Sequence, residues 1–119
     1  MFQVMKLLTE TGYRHLGGDL GRVSALVQGS TKVVWAGDGA TLLGFGSSIT
    51  DGGAVGLVSH LAVRRDQRRR GLGRAIVERL IAGNPGVSFL VHASGDVSAF
   101  CARVGFTRAS SVSCYVRKG

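Results

Sequence analysis

The chain has 119 residues, 45% of them hydrophobic and 18% charged, which excludes a disordered polymer and bounds it to one domain over residues 1–119. No apolar stretch approaches the ~20 residues of a membrane span, and the N-terminus lacks the pattern of a signal peptide, so no membrane association and a cytoplasmic location are expected. The net charge of +8, from 15 basic and 7 acidic residues, reads either as simple solubility or as the mark of an anionic partner, and its placement narrows the choice.

In chain order, Phe2, Val4, Met5, Leu7 and Leu8 take helical spacing over residues 2–13, and Gly12 closes the segment. Asp19 is placed to cap a second helix whose apolar face is Leu20, Val23, Leu26 and Val27. Lys32–Ala36 is β-branched and aromatic, hence a strand. Gly37-Asp38-Gly39 is a hairpin turn, Thr41–Ile49 the returning strand, and Asp51-Gly52-Gly53 the next turn. Ala54–Val63 is a mostly apolar third strand, expected near the centre of a sheet.

An arginine- and glycine-rich loop follows, and then Arg74–Ala82 pairs Ile76 with Leu80 and Val77 with Ile81 at i, i+4 of a helix. Val87–His92 is a fourth strand. Asp96 is placed to cap a short helix with Val97, Phe100 and Val104 on its buried face, and Ser111–Arg117 is a last strand. The order implies an α/β sheet with helices on its faces. The two cysteines, Cys101 and Cys114, follow no metal-ligand spacing, and no metal is expected.

Seven basic side chains lie between Arg64 and Arg79, opposed there only by Asp66 and Glu78. The charge is therefore local and marks a site. Strand, Gly/Arg loop and helix form a phosphate-binding arrangement. Glycines admit close approach, the first N–H groups of the helix have no partner within it, and arginines add charge-assisted bonds. A Walker loop is absent, and the dinucleotide fingerprint fails because Ile76 stands where its third glycine would be. Nucleic acid is disfavoured, since neither a stacking series of aromatics nor a recognition helix is evident.

The segment Leu61-Ala62-Val63-Arg64-Arg65-Asp66-Gln67-Arg68-Arg69-Arg70-Gly71-Leu72-Gly73-Arg74-Ala75 resembles the acetyl-CoA motif of the Gcn5-related N-acetyltransferases, [QR]-x-x-G-x-[GA] after a strand. Arg68, Gly71 and Gly73 stand at its defined positions. Ala99–Phe106 resembles the family's second signature, roughly F-Y-x-x-x-G-F, and Thr41–Phe45 its "L-v-G-f" strand. The likeness covers most of residues 20–119, and its short connections resemble the compact arylalkylamine-type members of plastids and bacteria.

The resemblance implies a mixed, mostly antiparallel central sheet with helices on both faces, but the family's opening strand is either absent here or reduced to Met1–Val4; if it is absent, the bare sheet edge favours pairing with a second copy as a homodimer. It implies acetyl-CoA as cosubstrate and a primary amine of a small molecule or protein as acceptor. Backbone groups of Leu61, Ala62 and Val63 would pair with the pantetheine arm. The N–H groups of residues 69 to 74, with Arg68, Arg69, Arg70, Gly71, Leu72, Gly73 and Arg74, would hold the pyrophosphate. Ser94 stands where members often place a polar coenzyme contact.

Acetyl transfer needs a neutral amine and a proton for the departing thiolate. The tyrosine that often supplies that proton is replaced here by Cys101, whose thiol is acidic enough to donate but shorter. Tyr115 is a possible substitute, and equally a sheet-packing residue. The carboxylate that many members place four positions before Leu61 is replaced by Leu57. The nearest polar groups, Ser59 and His60, are expected on opposite faces of the strand, with His60 the candidate base and His92 a weaker one. Asp51 reads first as a turn residue. Acceptor choice should depend on Tyr13–Gly18, the Thr50–Gly53 turn and the last strands. The alternative is a non-catalytic acyl-CoA-binding module that has lost its acid and base.

Overall fold

The computed structural model describes residues 1–13, 16–91, 98–109 and 113–117. Helices α1 (Phe2–Glu10) and α2 (Leu20–Gly29) lead into strands β1 (Lys32–Asp38), β2 (Thr41–Thr50) and β3 (Val55–Val63). A 3-10 turn at Arg65–Gln67, helix α3 (Leu72–Ile81), strand β4 (Ser88–Val91) and helix α4 (Ser98–Arg103) follow. The sheet order is β1-β2-β3-β4, with the first two pairings antiparallel and β3–β4 parallel. This is the expected mixed, mostly antiparallel sheet. The chain enters it only at Lys32, so the early strand is indeed missing from the described sheet and β1 forms its edge. Among the described residues no helix is long and apolar enough to cross a membrane.

Each helix forms where its apolar residues recur on one side. Val4, Leu7 and Leu8 of α1 and Val23 of α2 bury against Phe45 and Ala62, filling one face of the sheet. Asp19 caps α2 by accepting the Arg22 N–H at 3.0 Å. On the opposite face Ile76 and Leu80 of α3 pack with Val58. The approach is close because β2 presents glycine there: a Cβ on Gly46 would run into Ile76 and stand 3.0 Å from Leu80 Cδ1. Lys32 ties the far end of α3 to β1, its Nζ donating to Arg79 O at 3.1 Å and Ala82 O at 2.9 Å, where cations suit the helix dipole. Ser48, 1% exposed, points to this same face, and its Oγ has no hydrogen-bond partner among the described residues.

Two expectations fail. The last strand expected over Ser111–Arg117 does not form in the described part: residues 113–117 carry no regular structure, with Tyr115 92% and Val116 79% exposed. β-propensity reflects fit to a half-buried surface, and without a partner strand the pattern decides nothing. Ser59 and His60 also do not face opposite ways. The β2–β3 register shifts between Ser47↔His60 and Ser48↔Val58, leaving Ser59 as a bulge that sends both side chains to the α1–α2 face.

Candidate coenzyme and acyl-transfer site

The site begins where β3 outlasts β4. Their pairing ends at Val58↔Val91, while β3 continues to Val63. Successive residues of an antiparallel strand aim their backbone groups alternately at the partner and away from it. Arg64 N–H bonds Leu43 O of β2 at 2.9 Å, so Ala62 is committed to β2 while Leu61 and Val63 point outward. Only two of the three residues expected to pair with a pantetheine arm thus offer outward groups. Both are held by the chain's own side chains. Leu61 N–H donates to the Tyr13 hydroxyl at 3.1 Å, that hydroxyl donates to Leu61 O at 3.4 Å, and Arg68 Nε donates to Val63 O at 3.3 Å.

Beyond Val63 the chain turns through Arg65–Gln67 and reaches α3 by way of Arg69 at φ 64° and Gly71 at φ 81°. Gly71 is the N-cap of α3, in the left-handed region that glycine enters without strain, and open space surrounds the position of its missing Cβ. The first backbone bond of the helix runs from Ala75 N–H to Gly71 O, so the N–H groups of Leu72, Gly73 and Arg74 precede the ladder. The two acidic residues of the stretch are each taken by one arginine, Asp66 by Arg64 at 2.8 Å and Glu78 by Arg74 at 2.7 Å. Among the described residues no carboxylate pairs with Arg68, Arg69 or Arg70, and all three are exposed. Three N–H donors at a helix N-terminus, a cradle that a larger residue would fill, and uncompensated guanidiniums suit a pyrophosphate.

Helix α4 is brought to this loop through packing. A Cβ on Gly73 would stand 3.1 Å from Phe100 Cε1 and 3.7 Å from Val63 Cγ2, so Phe100 lies against the first turn of α3. The neighbouring Cys101 is a half-buried free thiol. Its carbonyl accepts the Phe106 N–H at 2.8 Å, which seats Phe106 in the core on the α3 face.

On the other face lies a polar cluster. Ser47 Oγ, fully buried, is 2.9 Å from Ser59 Oγ and 3.0 Å from His60 Nδ1, and the Tyr13 ring tilts against the His60 ring at 5.0 Å. Ser47 is one of two adjacent serines in β2, Ser47-Ser48, and only the β2–β3 register brings it to Ser59 and His60. Tyr13 lies 48 residues from Leu61, and nothing local announces their contact.

Beside Leu57 the surface is apolar. Ile49, Leu57 and Leu90 stand in register across three strands and are all exposed. The Asp51 carboxylate accepts the N–H groups of Gly53, Ala54 and Val55 at 2.9, 2.8 and 3.1 Å, and these bonds, with Ala54's first, hold its pKa below the ordinary carboxylate value. Asp51 is therefore the turn residue it was read as. Tyr115, almost fully exposed and outside any strand, is not packed against the sheet. His92 and Ser94 lie outside the described residues.

A family model described as an acetyltransferase (GNAT) domain matches residues 20–118. The PanD regulatory factor of Escherichia coli K12 is 37% identical over 65 residues, covering 50% of this chain and 51% of that protein. The match thus takes in about half the length of that curated relative. Among solved structures, an acetyltransferase of the GNAT family from Streptococcus pneumoniae TIGR4 aligns with TM-score 0.74 at 19% identity, over 99% of this chain and 88% of that one. AAC(6')-Iy, in complex with the bisubstrate analogue CoA-S-monomethyl-acetylneamine, aligns with TM-score 0.74 at 15% identity, over 99% and 91%. At these identities the structures share the fold.

Proposed function

The chain belongs to the GNAT acetyltransferase domain family, and we propose that it moves the acetyl group of acetyl-CoA to a primary amine of a small molecule or protein. The observation that carries this reading is one continuous surface. The outward backbone groups of Leu61 and Val63 lead directly into the N–H cradle of Leu72, Gly73 and Arg74 and the arginines before it. A pyrophosphate belongs at the cradle and an extended amide arm along β3, as an added strand. The bisubstrate complex of AAC(6')-Iy supports a coenzyme on this fold. The open β1 edge supports pairing with a second copy.

In the transfer, the amine nitrogen attacks the thioester carbon, the C–N bond forms and the C–S bond breaks. The amine gives up a proton, and the departing thiolate takes one. We assign the first proton to His60, whose ring is oriented through Nδ1 by Ser47, directly or through water. Cys101 is assigned the second, since Phe100 on Gly73 holds α4 beside the loop. Tyr115, 92% exposed and outside any described strand, is left out of this reading.

A second reading has its own observation. Where many family members carry a carboxylate, Leu57 sits in the apolar row with Ile49 and Leu90, and the relative from Escherichia coli is named a regulatory factor. On this reading the protein binds acyl-CoA without turnover. Calorimetry with CoA and acetyl-CoA, followed by turnover against a panel of amines at pH 7–9, separates the two. Acetylation of any amine supports the enzyme. Tight binding with no product supports the module, and no binding removes both.

A further inference from the structure

We propose that Ser59, acting through Ser47, is a positioning residue that locks the His60 ring in its Nδ1–H form and so makes Nε2 the nitrogen that takes a proton; the catalytic half of this rests on the assignment of His60 as base above. Three side-chain hydrogen bonds join the three residues. Ser59 Oγ donates to Ser47 O at 3.1 Å, Ser47 Oγ lies 2.9 Å from Ser59 Oγ, and His60 Nδ1 lies 3.0 Å from Ser47 Oγ. A hydroxyl carries one proton. That of Ser59 is committed, because a carbonyl oxygen only accepts. Ser47 must then donate to Ser59, and its own proton is spent. The contact with His60 is a hydrogen bond only if Nδ1 carries a proton and Ser47 Oγ accepts it. A proton on Nδ1 leaves the basic lone pair of the neutral ring on Nε2.

The opposite form costs a bond. With the proton on Nε2, Ser47 would turn its hydroxyl onto Nδ1 and withdraw it from Ser59. Ser59 could then reach Ser47 Oγ only by leaving Ser47 O. One bond is lost either way, around a Ser47 that is fully buried. The bulge builds this lock. Ser59 is skipped in the register between Ser47↔His60 and Ser48↔Val58, and its side chain thereby reaches Ser47. The Tyr13 ring, tilted 54° against the His60 ring at 5.0 Å, limits how the imidazole turns. When Nε2 takes a proton, Nδ1–H stays on Ser47 and no hydroxyl has to move. The cluster is thus arranged before the transfer.

Nitrogen-15 NMR of the His60 ring, at a pH where it is neutral, reads the form directly and needs no variant. Nδ1 should give the shift of a protonated ring nitrogen and Nε2 that of an unprotonated one. The reverse pattern overturns the proposal, whatever the protein turns over. In Ser59→Ala the Ser47 hydroxyl is released to donate to Nδ1, and the ratio of the Nε2–H to the Nδ1–H form should rise on the order of tenfold. Ser59→Thr keeps the hydroxyl and should keep the wild-type spectrum. An unchanged spectrum in Ser59→Ala overturns the lock. On an acetylated amine, Ser59→Ala should lower kcat about twofold to tenfold with KM within about twofold, and Ser59→Thr should restore it. A spectrum that shifts while kcat holds overturns Nε2 as the proton acceptor. If the wild type acetylates no amine, the enzyme reading falls, and the wild-type spectrum still decides the lock.

Discussion

Phe100 lies against Gly73 so closely that a Cβ there would stand 3.1 Å from its Cε1 and 3.2 Å from its Cζ. The two segments that resemble the family's signatures are therefore one packed unit, with the glycine of the first making room for the aromatic ring of the second. Gly73→Val should cost about 1–3 kcal/mol by overpacking. Urea unfolding would measure it, and the double variant Gly73→Val/Phe100→Leu should recover part of the loss. Strict additivity would show that the two residues do not depend on each other.

Arg68→Ala removes a guanidinium that spans from Val63 O to the loop, and a charge-assisted bond is worth about 1.5–3 kcal/mol. The expected loss of CoA affinity is on the order of ten- to a hundredfold. Gly71→Glu should be more damaging, since it places an L side chain at φ 81° and a negative charge at the helix N-terminus. Calorimetry on both variants would check this. Unchanged CoA binding in both would remove the loop from the site.

Cys101→Ala should lower kcat more than it raises KM if the thiol protonates the leaving thiolate, because that proton moves only in the transition state. Steady-state kinetics on an acetylated amine would decide it. An unaltered kcat returns Cys101 to packing beside Phe100.

The Asp51 carboxylate is favoured in its charged form by three backbone donors, Ala54 first. Its pKa is depressed in the fold, so the stability it contributes is present above the ordinary carboxylate pKa. That contribution is lost as pH falls through the lower folded value. The Gly53, Ala54 and Val55 amide resonances should titrate together with a midpoint below that of an ordinary aspartate. Asp51→Asn should abolish that step.

Ser48 carries a buried hydroxyl without a hydrogen-bond partner among the described residues, and an unmet polar group costs about 1–3 kcal/mol. Ser48→Ala should therefore leave stability unchanged or raise it by about 1 kcal/mol in thermal unfolding. A clear loss would mean that the hydroxyl is used.

Much was legible along the chain. Asp19 as a cap, the i, i+4 pairs of α3, the hairpin between β1 and β2 and the strand–loop–helix around Gly71 all arise from residues within a few positions of one another. Their boundaries moved slightly: α3 starts at Leu72 and not Arg74, because the left-handed Gly71 is itself the N-cap. The substitutions Cys101 and Leu57 were also visible, since they depend on position within a motif.

What failed was non-local. Period-two alternation placed Ser59 and His60 on opposite faces, but alternation holds only while the ladder is unbroken, and the break is a register shift set jointly with β2. The strand expected over Ser111–Arg117 had the right composition, but its described residues pair with nothing. The sequence alone determined that a run of arginines, a left-handed glycine and a helix start meet at Arg68–Gly73, because backbone geometry, charge and helix start are all local there. Only the tertiary structure decided which groups surround the reacting end of the site. The bulge aligned Ser47, Ser59 and His60, and the turn after α1 carried Tyr13 across 48 residues onto Leu61. Contacts between distant segments come from how α1 packs on the sheet, which no short stretch of residues encodes by itself.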